Sequence, residues 1–314
     1  MPSQAAPIVL SADGTRELLP WPALIDAVGR AFDRSPDAPQ RLVLPDEGRD
    51  WVVMPGLAPG GGLVCKVLCV GHGNGPANAP TIGGVVVLLD ADGQLVALLD
   101  GATLTARRTA AVAAYATELL ARPDASVLAV FGAGVLAESH IEAIAAVRPL
   151  EEIRVVGRSP ERLQTFCRRL TERGFDVDAT DARSAVRGAS IVVAATTSTT
   201  PVFADEDVGL GTHVNAIGSY RPQRAEVPAA TVARARVVVE TRESAWSEAG
   251  DLIQPRDAGL IGEDHVWAEI REHDRIAALR AAEPDAITLF KSVGHVALDI
   301  AALEVARANL HVAA

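Results

Sequence analysis

The sequence has few cysteines, no long basic run and no apolar stretch long enough to span a bilayer. Its three cysteines, Cys65, Cys69 and Cys167, are odd in number and suit a reducing compartment better than a disulfide framework. A net charge of −11 without a basic tract argues against a nucleic-acid partner. The longest apolar runs are too short, or too broken by Gly and charge, to cross a membrane. The N-terminus lacks a basic segment followed by an apolar core, so no signal peptide is expected. The expectation is a cytoplasmic protein with neither membrane nor nucleic acid as a partner. Internal repeats and low-complexity tracts are missing too, although Ala is abundant. Cys65, Cys69 and His72 are close enough in sequence to suggest a metal. However, Cys65 and Cys69 lie in an apolar run that reads as a strand, which sets them about 13 Å apart on one side. Buried structural thiols, and no metal, are expected.

What is present is a strand, a glycine turn, a helix and a second strand between Ser126 and Ser159. The apolar run Val127 to Phe131 ends in Gly132-Ala133-Gly134-Val135-Leu136-Ala137, a helical pattern follows, and Ile153 to Val156 closes the unit. Gly132 can take the angles of a tight turn, Gly134 lets a pyrophosphate approach the chain, and Ala137 lets the helix pack closely on the strand. The helix N-terminus offers free N–H groups and its positive dipole end to phosphates. A dinucleotide site is expected here, the alternative being a glycine turn that binds nothing. NAD sites usually carry an acid at the end of the second strand, to bond the ribose 2′-hydroxyl. This chain has Gly157-Arg158-Ser159 instead. Arg158 can pair with a 2′-phosphate and the Ser159 hydroxyl can add a hydrogen bond, so NADP(H) is favoured over NAD(H).

The 314 residues, 49% apolar and 22% charged, suit a globular protein of about two domains. Short strands are predicted at 7–10, Gln40–Leu44, Trp51–Met54 and Leu63–Val70, with an amphipathic helix from Trp21 to Phe32. Gly84–Leu89 and Leu95–Asp100 read as a hairpin around Asp92-Gly93. Thr103 or Thr105 is expected to cap a helix running to about Leu120, with Arg107 and Arg108 in its first turn. Arginines there oppose the helix dipole; they either bind an anion beside the helix start or are solvated surface charges. After the linker Ala121-Arg122-Pro123-Asp124, strands and helices alternate as a doubly wound parallel sheet. Ligands bind such sheets beyond the strand carboxyl ends, where Thr196, Thr197, Gly218 and Ser219 lie; those residue types also suit plain turns. An Ala-rich helix from His295 to about Leu310 is expected to return to the first domain. The fold class is thus α/β, with a Rossmann-type domain at 122–294 and a discontinuous α+β substrate-binding and dimerisation domain at 1–121 and 295–314.

These segments resemble the ornithine cyclodeaminase/mu-crystallin family over nearly the whole chain. The resemblance rests on Lys66-Val67, Thr105-Ala-Arg-Arg108-Thr109-Ala-Ala, and Gly132-Ala-Gly134 followed by His140. It continues in Asn215-Ala-Ile217-Gly218-Ser219 with Pro222 and Glu226, and in Phe290-Lys-Ser292-Val293-Gly294 with Asp299. It implies a homodimer that holds a small amino or imino acid against a nicotinamide. Arg41, Lys66 and Arg108 match the family's carboxylate-binding basic residues. Lys66 on an apolar strand needs such a partner, unless it is a snorkelling edge-strand lysine. The resemblance adds Thr109, Ala133, Val135, Leu136, Ala195, Ile217, Val293 and Gly294 to the candidate cofactor contacts. Leu136 departs from the pattern, since many relatives have Gln there.

A second departure bears on the reaction. Family members that deaminate ornithine, and the related alanine dehydrogenases, carry an Asp shortly after the Gly-Ser/Ala turn. Tyr220 stands here, which is no ready base at neutral pH and no carboxylate for an ammonium group. The resemblance therefore implies NADPH-dependent reduction of a preformed cyclic imine, 1-pyrroline-2-carboxylate or 1-piperideine-2-carboxylate, to L-proline or L-pipecolate. Arg41 and Arg108 would hold the carboxylate, Lys66 would orient it and share in proton transfer, and Tyr220 would border the pocket. The alternatives are an NAD-dependent ornithine cyclodeaminase, an amino acid dehydrogenase that needs free ammonia, and a protein that only binds NADPH and a small ligand.

Overall fold

The structure, a computed structural model, describes residues 6–34, 39–58, 61–71 and 81–310. The chain begins with β1 (Ile8–Val9), α1 (Ala12–Glu17), α2 (Trp21–Gly29) and α3 (Ala31–Arg34). Then come β2 (Leu42–Asp46), β3 (Arg49–Leu57), β4 (Leu63–Gly71), β5 (Ile82–Leu89), β6 (Leu95–Asp100) and the long helix α4 (Gly101–Leu120). The first sheet runs β1-β6-β5-β4-β3-β2, with β1 parallel to β6 and the other pairs antiparallel. On β4 the alternation is regular: Val64, Lys66 and Leu68 are buried, whereas Cys65, Val67 and Cys69 point to the half-exposed face. The two thiols are therefore not the buried structural pair that the apolar run suggests, because only one face of the sheet is covered. His72 lies outside the described residues, and no metal-binding group of His, Cys, Asp and Glu occurs among those described.

Helix α4 is capped from the preceding strand and not by Thr103 or Thr105. The Thr103 N–H donates to Asp100 Oδ1 at 2.7 Å, which satisfies a free donor of the first turn. Asp100 ends β6, so the strand-to-helix corner is closed by the strand's own last residue.

The second half of the chain alternates strand and helix. It contains β7 (Val127–Phe131), α5 (Val135–Ala145), β8 (Glu152–Val156), α6 (Pro160–Thr171), β9 (Val177–Ala179), α7 (Ala182–Val186), β10 (Ile191–Ala194) and β11 (His213–Ala216). It continues through α8 (Ala229–Arg234), β12 (Arg236–Val239), α9 (Arg242–Glu248), α10 (Gly250–Asp257), β13 (Val266–Glu269), α11 (His273–Ala282) and β14 (Thr288–Lys291). The last helix is α12 (Val296–Leu310). All strands of this second sheet are parallel, in the order β13-β12-β14-β11-β10-β7-β8-β9. β10, β11 and β14 are buried at every residue, as strands covered on both faces must be. From β7 the chain winds outward through β8 and β9, then returns to place β10 on the other side of β7. That reversal is where open α/β sheets bind ligands.

The chain divides into two compact units, Met1–Arg108 with His295–Ala314, and Thr109–Gly294. The division falls inside α4, upstream of Ala121–Asp124, because the second half of that helix is bonded into the parallel-sheet unit. Asn215 donates to Thr117 Oγ1 at 3.0 Å, and Arg148 donates to the carbonyl of Glu118 at 3.0 Å. Among the described residues no helix is long and apolar enough to cross a membrane.

Candidate active site

In the first unit the chemistry collects on the covered face of the antiparallel sheet. The strand register sets Met54 opposite Lys66 and Lys66 opposite Val86, and Arg41 stands just before β2, whose Leu42 faces Val53. Lys66 is fully buried on this face. Helix α12 supplies its counter-charge: Lys66 Nζ lies 2.7 Å from Asp299 Oδ1, and Arg108 Nε donates to the same oxygen at 3.0 Å. All three side chains are at most 5% exposed. Burial first, then the positive charge of Arg108, pushes the Lys66 ammonium down to about 7, against the pull of Asp299 and with a further push from Arg41. Two buried donors on one face of α4 are left over. Arg108 Nη1 and Thr105 Oγ1 have no hydrogen-bond partner among the described residues. A buried guanidinium nitrogen without an acceptor is destabilising, and an anionic group placed here can satisfy it together with the Thr105 hydroxyl.

The neighbouring Arg107 resolves the open question about the arginine pair. Its Nε and Nη2 donate to the Leu19 carbonyl at 3.0 and 2.6 Å, and its guanidinium lies 3.8 Å over the Trp21 ring. It clamps α4 to α2, so only Arg108 of the pair is turned to the polar group.

In the second unit the glycine turn takes the conformation the motif requires. Gly132 has φ +119°, and a Cβ there would stand 2.7 Å from the Ala195 carbonyl oxygen. Gly134 caps α5 with no side-chain hydrogen bond, and a Cβ on it would meet nothing within 4 Å. The first turn of α5 thus leaves its N–H groups to an outside acceptor, with Gly134 and Val135 exposed beside it. These residues fit the pyrophosphate of a dinucleotide. Ala133 and Leu136 are half-buried in the same turn, and Gly157 packs near Ala133. Arg158 is exposed and has no ion-pair partner among the described residues, whereas the Ser159 oxygen accepts from Arg162 N as the cap of α6. Its hydroxyl proton remains to be donated.

Most of the other candidate cofactor residues gather at the carboxyl ends of β10, β11 and β14. Ala195 N donates to the Phe131 carbonyl at 3.0 Å, and the Ile217 and Gly218 N–H groups both donate to that of Ala194. Thr196 and Ser219 belong to these two loops, with Thr197 exposed beside them. Val293 and Gly294 leave the end of β14, held by Glu240, which accepts from Gly294 N at 2.9 Å. Thr109 is buried on α4. Tyr220 is half-buried and its ring packs against the hydrophobic core of the unit. His140 is fully buried with Nδ1 2.6 Å from the Leu136 carbonyl, and burial lowers its pKa to about 4, so it is neutral and braces α5.

Asp299 and Thr105 were not singled out as site residues by sequence reasoning. An acid in the apolar stretch Val296–Ala302 was the available signal, since an unpaired carboxylate there would be strongly unfavourable. The parallel-sheet unit holds a second such group, Glu226, Asp251 and Lys291, all buried; it contains the other of the chain's two lysines.

The model of the ornithine cyclodeaminase/mu-crystallin family matches residues 6–313. A Delta(1)-pyrroline-2-carboxylate reductase from Bacillus cereus is 36% identical over 307 residues, covering 93% of each chain. The ketimine reductase mu-crystallin of Mus musculus is 33% identical, covering 95% of each. Among solved structures, Thermococcus litoralis Delta(1)-pyrroline-2-carboxylate reductase, in complex with NADH and L-proline, superposes with a TM-score of 0.88 at 29% identity. That match covers 97% of this chain and 98% of the other.

Proposed function

This chain belongs to the ornithine cyclodeaminase/mu-crystallin family, and from that starting point we propose that it reduces a cyclic imino acid with NADPH. The substrates are 1-pyrroline-2-carboxylate or 1-piperideine-2-carboxylate, and the products L-proline or L-pipecolate. The observation that carries this reading is the buried Lys66–Asp299–Arg108 group with Arg108 Nη1 left unpaired. One carboxylate satisfies that nitrogen and the Thr105 hydroxyl, and it meets the positive charges of Arg108, Lys66 and Arg41. The relatives' names add the imine class, and the bacterial reductases and the mammalian ketimine reductase agree on it.

When bound, the nicotinamide supplies a hydride to the C=N carbon. Arg108 and Arg41 hold the carboxylate and so fix which carbon is presented. Lys66 Nζ, poised near neutrality, keeps a proton beside the substrate; a protonated imine nitrogen makes its carbon far more electrophilic, and the nitrogen ends as the amine of the product. Tyr220 offers no carboxylate to hold a substrate ammonium, which separates this reading from cyclodeamination.

Arg158, exposed at the end of β8 where NAD sites carry an acid, supports NADPH over NADH. A homodimer completes the reading. Leu42, Leu44 and Trp51 are exposed on the uncovered face of the first sheet, where Leu44 pairs with Trp51 across the strands, and a second copy of this surface would cover them. The deciding experiment follows NADPH oxidation with 1-pyrroline-2-carboxylate and no ammonia, with NADH in parallel. Rapid NADPH oxidation is expected. Silence with both cofactors, together with ammonia release from ornithine, would replace the reading by cyclodeamination.

A further inference from the structure

Glu226, Asp251 and Lys291 are sealed together in the parallel-sheet unit, and the imine reduction above uses none of them. Asp251, in the first turn of α10, accepts from the backbone N–H groups of Glu226 at 2.6 Å and Val227 at 3.0 Å. Its other oxygen lies 2.8 Å from Lys291 Nζ, and Lys291 donates to the Ser219 carbonyl at 2.6 Å. Two acids thus share one lysine. Glu226 Oε1 accepts from both N and Oγ1 of Thr196, each at 2.6 Å, while Oε2 has no hydrogen-bond partner among the described residues. Gly218 is pressed against the same carboxylate: a Cβ there would stand 2.6 Å from Glu226 Oε1 and 2.2 Å from the Thr196 carbonyl oxygen.

A Gln would accept from Thr196 just as well without burying a charge that has no cation of its own. Packing alone therefore does not account for a carboxylate here. Its location does point to a task, because Thr196 follows β10 and Gly218 follows β11, at the strand ends beside the point where the sheet order reverses.

We propose that Glu226 is a positioning residue of the cofactor site: it ties Thr196 to the Gly218–Ser219 turn and sets a negative charge behind them that favours the oxidised, positively charged nicotinamide over the neutral reduced ring. The proposal rests on the nicotinamide reading above. The charged groups facing Glu226 are Asp251 from α10 and Lys291 from β14; the uncharged Thr196 faces it from the loop after β10. Burial first, then the charge of Asp251, pushes the Glu226 carboxyl up to about 7, against Lys291 and the bonds from Thr196. Its charge, and with it the bias, is present above that pH and absent below it.

The test is calorimetric titration of the full chain with NADP+ and with NADPH, and with the NAD+/NADH pair in parallel, at about pH 6 and about pH 8.5. In the wild type the affinity for the oxidised form, relative to the reduced form, rises about tenfold across this interval. Glu226→Gln flattens that change. Thr196→Val keeps the change but weakens both forms several-fold, as expected if the tie itself positions the loop. In Lys66→Met, which removes a buried lysine pushed down to about 7, a shift in the same direction is still present. The wild-type shift needs no substitution, so the test survives a Glu226→Gln protein that does not fold. A wild-type ratio independent of pH, or a Glu226→Gln protein with the wild-type pH response, overturns the proposal. If neither form of either cofactor binds the wild type, the nicotinamide reading falls and takes this one with it.

Discussion

Lys66 and Asp299, 233 residues apart in sequence, meet at 2.7 Å with both side chains wholly buried. The pair decides the protonation of the lysine. Desolvation and Arg108 drive the ammonium down to about 7, and Asp299 keeps it from falling further. The group is a cation below that pH and loses its proton as pH rises through it. If the cation holds substrate or carries the proton, kcat/KM for the imine falls about tenfold per pH unit above the pKa. Asp299→Asn removes the opposing charge, so the limb moves to lower pH. A pH–rate profile of both proteins checks this, and an unmoved limb would assign it to another group.

Lys66→Met keeps an unbranched apolar side chain, one heavy atom shorter, and removes the charge. The reductase activity should fall by roughly 10²–10⁴-fold, as for loss of a positioned proton-transfer group. Affinity for NADPH should stay within about twofold, since the turn that fits the dinucleotide belongs to the other compact unit. Steady-state kinetics with cofactor titration measures both. Full activity in this variant would remove Lys66 from the mechanism.

The strand–turn–helix–strand from Ser126 to Ser159 was legible because its signals are local: an apolar run, two glycines, a helical period and a second apolar run. The lysine on an apolar strand was legible for the same reason. Asp299 stood out only as part of the family pattern and its role did not, because its partners Lys66 and Arg108 are brought to it only by the fold, and the helix that carries it shows an otherwise ordinary apolar pattern. Asp251 hides similarly, in a short helix that contains Pro255, a residue that reads as a break. The half-exposure of Cys65 and Cys69 also escaped notice, since hydrophobic character does not tell which face of a sheet is covered.

Arg158 is the residue on which the cofactor choice turns. On the proposed NADPH reading, Arg158→Ala would remove a charge-assisted bond to the 2′-phosphate, worth about 1.5–3 kcal/mol, and should raise KM for NADPH about ten- to a hundredfold. The KM for NADH should not change. Equal effects on the two cofactors would show that Arg158 does not read the 2′ position.

Two glycines separate cofactor binding from fold. Gly134 has φ −114°, within reach of any residue, and a Cβ on it would meet nothing within 4 Å. Gly134→Ala should therefore leave the melting temperature unchanged while weakening NADPH by about tenfold or more, because on the proposed reading the methyl would stand in the approach path of the pyrophosphate. At Gly218 a Cβ would stand 2.5 Å from Thr196 N and 2.2 Å from its carbonyl oxygen, both backbone atoms that cannot swing aside. Gly218→Ala should thus destabilise the fold itself, by about 1–3 kcal/mol, and weaken the cofactor as a consequence. Thermal melts of the two variants beside NADPH titrations distinguish these outcomes. A Gly134→Ala protein that binds NADPH as tightly as the wild type would mean that no pyrophosphate lies against this turn.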